Sequence, residues 1–389
     1  MKILYVCLFP IEANNSAMMR NLALVEGLIA NGHEVDFLTI PVNRYNVILE
    51  DNDLNKINII RVKGNRIYDA ITSSHAREVS RIRELLIMCL RKVYHAFSVF
   101  DYTYNIAKNI SIEILEEKKY DIVISSSDPK TSHIAVNNLI KQGLQYGKWI
   151  QYWGDPLTLD ITNKNIYPKF YLKAIEKSIL KNADSIVYVS PFTLREQKAM
   201  IPKISSKMHF QPIPYKKEKL YPNTNNTRFI VGYYGAYKSV TRDIMPLYKA
   251  CTKLKEYVDL VIMGESDLKI AETENIIVNS RGDITEYEAK TDVLVCILNK
   301  KGTQIPGKIY HYAATNKPIL VLIDGDNKKE MRDYLSSFNR YIICDNNEED
   351  IINTIRKLMK SSKKYTPVKA FSPKTIAKNI LNTLTIDSE

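Results

Sequence analysis

A compact apolar run at residues 3–9 is the pattern of a parallel strand buried on both faces. A polar loop follows at residues 12–16. Met19, Leu22, Val25 and Ile29 then recur at helical spacing through residues 18–30, and Asn31-Gly32 closes that helix as a C-cap pair. Residues 35–40 form the next predicted strand. Such a βαβ unit implies a parallel sheet.

The alternation continues. Strands are predicted at residues 121–125, 149–153 and 185–189, with a helix over 131–144. The strand at 149–153 ends in Gly154-Asp155-Pro156, and the one at 185–189 in Ser190-Pro191. Residues 205–227 read as a loop with Pro212, Pro214 and Pro222, and a domain boundary is expected there. Strands at 229–233, 259–263, 276–278, 293–297 and 319–323, with a loop over 235–241 and a helix over 244–254, repeat the same logic. The expected fold class is α/β: two doubly wound domains in tandem. Ligands of such sheets sit beyond the carboxyl ends of the strands, and a two-domain version is expected to hold them in the cleft between.

Composition agrees with two domains. The chain has 389 residues, 45% hydrophobic and 25% charged, as in soluble globular proteins. That excludes a disordered chain, a collagen and a polytopic membrane protein. The net charge of +12 points to anionic partners. The excess concentrates in two windows, residues 56–100 with nine basic and three acidic residues, and residues 352–389 with eight and two. The sequence lacks an RNP, KH or helix-turn-helix signature, so no nucleic-acid partner is expected. Cys7, Cys89, Cys251, Cys296 and Cys344 are far apart with no CxxC pair, which fits a reducing cytosol better than a disulfide framework. The N-terminus reads as a first strand, not a signal peptide. No apolar run approaches the roughly 20 residues of a transmembrane helix.

Several motifs resemble GT-B glycosyltransferases of the glycosyltransferase 4 type. They are the opening strand and polar loop with Arg20, Gly32-His33-Glu34-Val35, residues 183–187 with Ser190, residues 232–235 with Arg242, and residues 261–264. The most specific block is residues 305–312, Ile-Pro-Gly-Lys-Ile-Tyr-His-Tyr, continuing through residues 316–320. It resembles the segment that holds the sugar nucleotide in bacterial surface-polysaccharide glycosyltransferases. The resemblance covers essentially the whole chain. It implies an acceptor domain over residues 1–213, a nucleotide-sugar domain over 214–370, and a final helix within 371–389 crossing back to the first domain. It also implies a retaining transfer to a glycan or lipid-linked acceptor, with no cofactor and no obligatory metal. The localisation implied is cytoplasmic, with peripheral contact on the inner face of the membrane.

A nucleotide sugar leaves as a nucleoside diphosphate, so positive charge or oriented N–H groups are needed where negative charge develops. Lys308, after Pro306 and Gly307, suits that need. Gly307 permits close backbone approach, and the helix it opens offers N–H groups. On the turn alone, Lys308 reads equally as a solvated surface charge. Arg242 resembles the family's basic residue at the diphosphate, with Lys238 an alternative in the same loop. Gly235 and Gly264 are placed to line the donor site or to serve as simple turns, and Tyr312 follows in the same block. Two positions depart from the pattern. His311 stands where relatives carry a Glu for the ribose hydroxyls. The loop Ala13-Asn14-Asn15-Ser16-Ala17 replaces paired glycines, with Asn15 able to adopt the turn.

On the acceptor side, Asp155 is a candidate base or hydroxyl-orienting group, and Trp153 a candidate stacking surface. The other reading makes Trp153 core and Asp155 a turn cap. His133 is either near the anomeric centre or structural, and Ser190 is a further acceptor-side candidate. Asp51-Asn-Asp53 and Asp324-Gly-Asp326 lack the context of a metal-binding DxD pair, and the six histidines show no ligand spacing, so no metal is assigned. Residues 77–100 carry an apolar helical stripe with Arg81, Arg91 and Lys92 on another side, which suits either an anionic membrane or a solvated basic face. Two further functions stay open: a catalytically inactive scaffold subunit, motivated by His311 and the loop at residues 14–16, and a GT-B-fold sugar-nucleotide epimerase.

Overall fold

The computed structural model describes residues 1–41, 52–64, 89, 92–160 and 165–385. The chain divides into two compact units. One is Met1–Lys216 with Pro373–Glu389, and the other is Lys217–Ser372.

The first unit is a seven-stranded parallel sheet. In chain order it contains β1 (Lys2–Val6), α1 (Ser16–Ala30), β2 (Glu34–Thr39), β3 (Asn58–Arg61), α2 (Tyr104–Lys108), β4 (Lys119–Ser126), α3 (Thr131–Lys141), β5 (Gln145–Trp153), α4 (Lys169–Leu180), β6 (Ser185–Tyr188), α5 (Pro191–Met200) and β7 (Met208–Phe210). The strand order is β3-β2-β1-β4-β5-β6-β7. The order reverses direction between β1 and β4, and there a doubly wound sheet opens for a ligand. The strands are near-continuous apolar runs because helices cover both faces. Leu4, Val6, Leu38, Val123, Trp149 and Ile186 lie in the core.

Local chemistry explains where elements stop. Gly32 and Gly143 take positive φ, 81° and 102°, immediately past α1 and α3. A left-handed residue ends a helix there, and only glycine adopts it without steric cost. Gly143 therefore stops α3 at Lys141, short of the predicted residue 144, and β5 begins at Gln145 instead of 149. The stretch read as a loop from residue 205 contains the edge strand β7, paired in parallel with β6 through Ile186 and Met208. A strand of three residues is too short to carry a periodic signal.

The second unit holds β8 (Phe229–Tyr234), α6 (Met245–Lys253), β9 (Val258–Met263), β10 (Ile276–Asn279), α7 (Thr285–Lys290), β11 (Val293–Ile297), α8 (Lys308–Tyr312), β12 (Ile319–Ile323), α9 (Lys328–Ser336), β13 (Ile342–Asp345) and α10 (Glu348–Met359). Its six parallel strands run β10-β9-β8-β11-β12-β13, with the reversal between β8 and β11. Its core includes Val231, Leu260, Val295, Leu320 and Ile355.

The last helix, α11 (Pro373–Asn382), belongs to the first unit and lies along α1. Ile376, Ala377 and Ile380 are fully buried. Gly27 makes the approach possible: a Cβ there would stand 2.1 Å from the Pro373 carbonyl oxygen. Asn31 donates to both Gly27 O and Lys374 O at 2.9 Å, and Ser185 and Thr383 share a hydroxyl hydrogen bond of 2.7 Å. No helix among the described residues is long and apolar enough to cross a membrane. Of the basic residues read as membrane-facing, Arg81 and Arg91 lie outside the described residues, and Lys92 is exposed on the helical residues 92–97.

Candidate functional site

In the second unit the carboxyl ends of β8 and β11 gather most of the residues singled out in the sequence. β8 runs into Gly235, whose N–H donates to Met263 O at 2.9 Å. Gly264 follows β9, and its N–H donates to Asn279 O at 3.1 Å. A Cβ on Gly264 would meet the Gly235 carbonyl oxygen at 2.0 Å. Gly264 thus lets two strand ends pack together, and its amide is committed to the sheet. That is the turn role read for it in the sequence, and it is compatible with lining the donor site.

Arg242 ties the loop after β8 to the end of β11. Its Nε donates to Asn299 Oδ1 at 3.0 Å and its Nη1 to Ala236 O at 2.9 Å. It also hydrogen-bonds the Tyr233 side chain, and a guanidinium with five N–H donors keeps others beyond these. Lys238 is exposed at the same loop, with its carbonyl accepting from the amides of Thr241 and Arg242.

Pro306 is buried and Gly307 precedes a helix of a single turn, α8. The amides of Ile309, Tyr310 and His311 are bonded inside this turn, to Pro306 O and Gly307 O. The expected row of free N–H groups for a diphosphate is therefore absent at those three residues. The side chains carry the charge instead. Lys308 places its ammonium 5.3 Å from the centre of the Tyr312 ring, a cation–π contact. Burial lowers its pKa below the usual lysine value; Glu288 and Cys296 oppose that shift, while Lys219 and Arg281 add to it. Tyr312 is buried, and its hydroxyl donates to Tyr234 O at 3.4 Å, so it forms the wall under the lysine.

His311 is neutral at pH 7. Burial pushes its pKa down to about 4, and the Lys308 and Lys219 charges push the same way. Its Nε2 is shut from solvent and has no hydrogen-bond partner. A neutral imidazole nitrogen in that state can accept from, or donate to, a hydroxyl. Sequence reasoning missed Lys219, Arg281 and Glu288. Lys219 pairs with the buried Glu288 at 3.2 Å. None of the three sits in a motif, and they converge only through the fold.

The first unit has its own pocket of about 600 Å³, walled by Phe9, Asn15, Tyr102, Asp128, Lys130 and Asp160 among others. It lies past the carboxyl ends of β1, β4 and β5. Lys130 lines it, 3.0 Å from both Asp128 and Asp160. Burial works against the ammonium, but Asp128, Asp160 and Asp155 outweigh it and hold its pKa above the usual value. Asp155 is pushed up to about 6, by burial first and then by Asp128 and Asp160, with Lys130 and Arg20 opposing. Arg20 donates to Ser127 O and lies under the turn at Gly154, where a Cβ would strike its Nη1 at 2.2 Å.

At three acceptor-side positions burial favours a structural role. Trp153 has no exposed surface and stacks on His133 with ring centres 4.3 Å apart. It is a core residue and presents no face to a sugar. His133 is equally buried, with Nδ1 2.7 Å from Ser125 Oγ, and burial followed by Lys130 pushes its pKa down to about 3. Neutral and enclosed, it packs against the ends of β4 and β5. Ser190 is buried and caps α5, accepting from Thr193 N at 3.4 Å. Asn15 caps α1 by accepting from Met18 N at 2.8 Å, and it borders the first-unit pocket, whereas the expectation gave it to the donor. Among the described residues, no three His, Cys, Asp or Glu side chains are grouped to hold a metal ion.

No family model matches this sequence, and no curated protein matches it. Solved structures are similar along the whole chain. Sucrose-phosphate synthase from Thermosynechococcus elongatus aligns over 99% of this chain and 94% of its own, with 15% identity and a TM-score of 0.55. A glycosyltransferase from Rickettsia africae covers 99% and 93%, with 13% identity and a TM-score of 0.54. Anabaena HepE, solved with UDP and glucose, covers 100% and 97%, with 11% identity and a TM-score of 0.53. These neighbours are GT-B glycosyltransferases, and the architecture of this chain is likewise GT-B, with two Rossmann-like units. At such identities the likeness speaks for the fold.

Proposed function

We propose that this chain is a nucleotide-sugar-dependent glycosyltransferase, with the donor on the second unit and the acceptor on the first. The observation that carries it is the arrangement at α8. Lys308 is partly buried and feels the charges of Lys219 and Arg281, with a neutral, unpartnered His311 nitrogen one turn away. A nucleoside diphosphate needs both features, cations for the phosphates and a polar group for the ribose. A bare phosphate needs only the first. The GT-B fold supports the reading, and HepE, a neighbour of that fold, was solved with UDP and glucose.

In this reading Lys308 and Arg242 stabilise the departing diphosphate as its charge develops. Asp155, whose carboxyl pKa is pushed up to about 6, orients the acceptor hydroxyl or takes its proton. Transfer is retaining and metal-independent, as the family resemblance implies, and the acceptor is a lipid-linked glycan of a bacterial surface polysaccharide.

Isothermal titration with UDP, GDP and ADP tests the donor half. At least one is expected to bind with micromolar affinity, and binding is expected to weaken in Lys308→Ala. No binding at millimolar concentration would sink the enzyme reading. It would favour the scaffold alternative, to which the glycine-free loop with Asn15 spent on capping α1 already points.

A further inference from the structure

The pocket of the first unit holds more negative charge than its own cations balance. Its volume of about 600 Å³ suits a small ligand. Its wall carries three carboxylates, Asp101, Asp128 and Asp160, and one ammonium, Lys130. The other nitrogen base on the wall is His95, which is exposed.

Lys130 does not open this wall to an anion. Its side chain is 14% exposed, and Nζ lies 3.0 Å from one oxygen of each of Asp128 and Asp160. An entering phosphate or carboxylate would have to displace one of these partners while facing the remaining like charges in a shielded site. Burial pushes the Asp101 carboxyl above its usual range; the Thr103 donors and Lys130 oppose, and Asp128 adds to the rise. The neighbouring Asp155 rises to about 6, by burial and then by Asp128 and Asp160. Both carboxyls would ionise more readily beside a further cation. A metal ion does not fit that need, because among the described residues no three carboxylate, imidazole or thiol groups converge to hold one. An organic ammonium needs only one or two carboxylates.

The rest of the wall agrees with a cation. Phe9, Phe100 and Tyr102 supply aromatic rings, and Phe100 is stacked on Tyr104 with ring centres 5.1 Å apart. Aromatic faces attract an ammonium and gain nothing from an anion.

We propose that this pocket binds an amine-bearing sugar, with its ammonium held by Asp128 and Asp160 and its ring against Phe9 and Phe100. Asp128 and Asp160 are then specificity-determining residues that select a free amine and reject a phosphate. The proposal deepens the acceptor assignment of the first unit, and it rests on that reading for the ligand's being a sugar.

Saturation-transfer NMR on the full chain tests this, with methyl glucosaminide, methyl glucoside, methyl N-acetylglucosaminide and glucose 6-phosphate as probes. The glucosaminide is expected to bind at least about tenfold more tightly than either neutral glycoside. Glucose 6-phosphate is expected not to bind. Asp128→Asn changes a side chain that is 40% exposed, and it should narrow the preference for the amine. Asp128→Asn with Asp160→Asn should abolish it. Tryptophan emission during urea unfolding, from Trp149 and Trp153, checks the fold of each variant within the first unit itself. Equal binding of amine and neutral glycosides by the wild type would overturn the proposal and leave the acceptor reading standing. So would an amine preference that survives in the folded double variant or, should that variant not fold, one unchanged in Asp128→Asn. Binding of none of the four probes would overturn the proposal and also remove the acceptor from this pocket.

Discussion

The Lys130 ammonium lies 3.0 Å from the Asp160 carboxylate, and its charge is one of two that restrain the rise of the Asp155 pKa. As a base, Asp155 works ionised, so turnover should fall as pH drops through about 6. Lys130→Met removes a restraining cation, and the acidic limb of the pH–rate profile should move to higher pH. Lys130→Arg should leave the limb in place. Loss of activity at all pH values with no shift of the limb would mean that Lys130 only supports the fold.

Lys308→Ala should reduce donor turnover at least about tenfold, which is about 1.4 kcal/mol of transition-state stabilisation, while the fold survives. His311→Ala should act differently. A ribose contact is the same in ground and transition states, so KM for the donor should rise with kcat nearly unchanged. Steady-state kinetics separate the two, and wild-type constants in either variant would remove that residue from the site.

His133 makes stability depend on pH with a definite sign. Its folded pKa of about 3 lies below the ordinary histidine value of 6.5. The unfolded chain therefore takes up a proton, as pH falls below the ordinary value, that the folded chain refuses. Its contribution is fully present above that value and is lost toward low pH, at about 1.4 kcal/mol per pH unit for one proton. Both tryptophans, Trp149 and Trp153, lie in the first unit, so tryptophan emission during urea unfolding reports on that unit alone. His133→Gln should flatten the acid side of the stability–pH curve. An unchanged slope would contradict the buried neutral imidazole.

Gly27→Val should loosen the terminal helix. The added Cβ would stand 2.1 Å from Pro373 O and 3.0 Å from Ala377 Cβ, both on α11. Overpacking of this kind costs about 1–3 kcal/mol. Limited proteolysis should then remove the terminal segment faster than in the wild type. Equal protection would show that α1 and α11 adjust without strain.

The sequence by itself determined the architecture, because parallel strands buried on both faces leave unbroken apolar runs such as residues 3–9, 293–297 and 319–323. It also placed Lys308 and His311 beside each other, since a motif within one turn keeps its neighbours close. It determined much less of what lies far apart in the chain. Lys219, Arg281 and Glu288 reach Lys308 only through the fold, and no local pattern marks them. Only the tertiary structure showed that Trp153 and His133 stack inside the core, because burial depends on which helices cover a strand end. The same reason hid the charge balance of the first-unit pocket. Asp101 and Asp160 lie far from Asp128 and Lys130 along the chain, and only the fold sets all four on one wall.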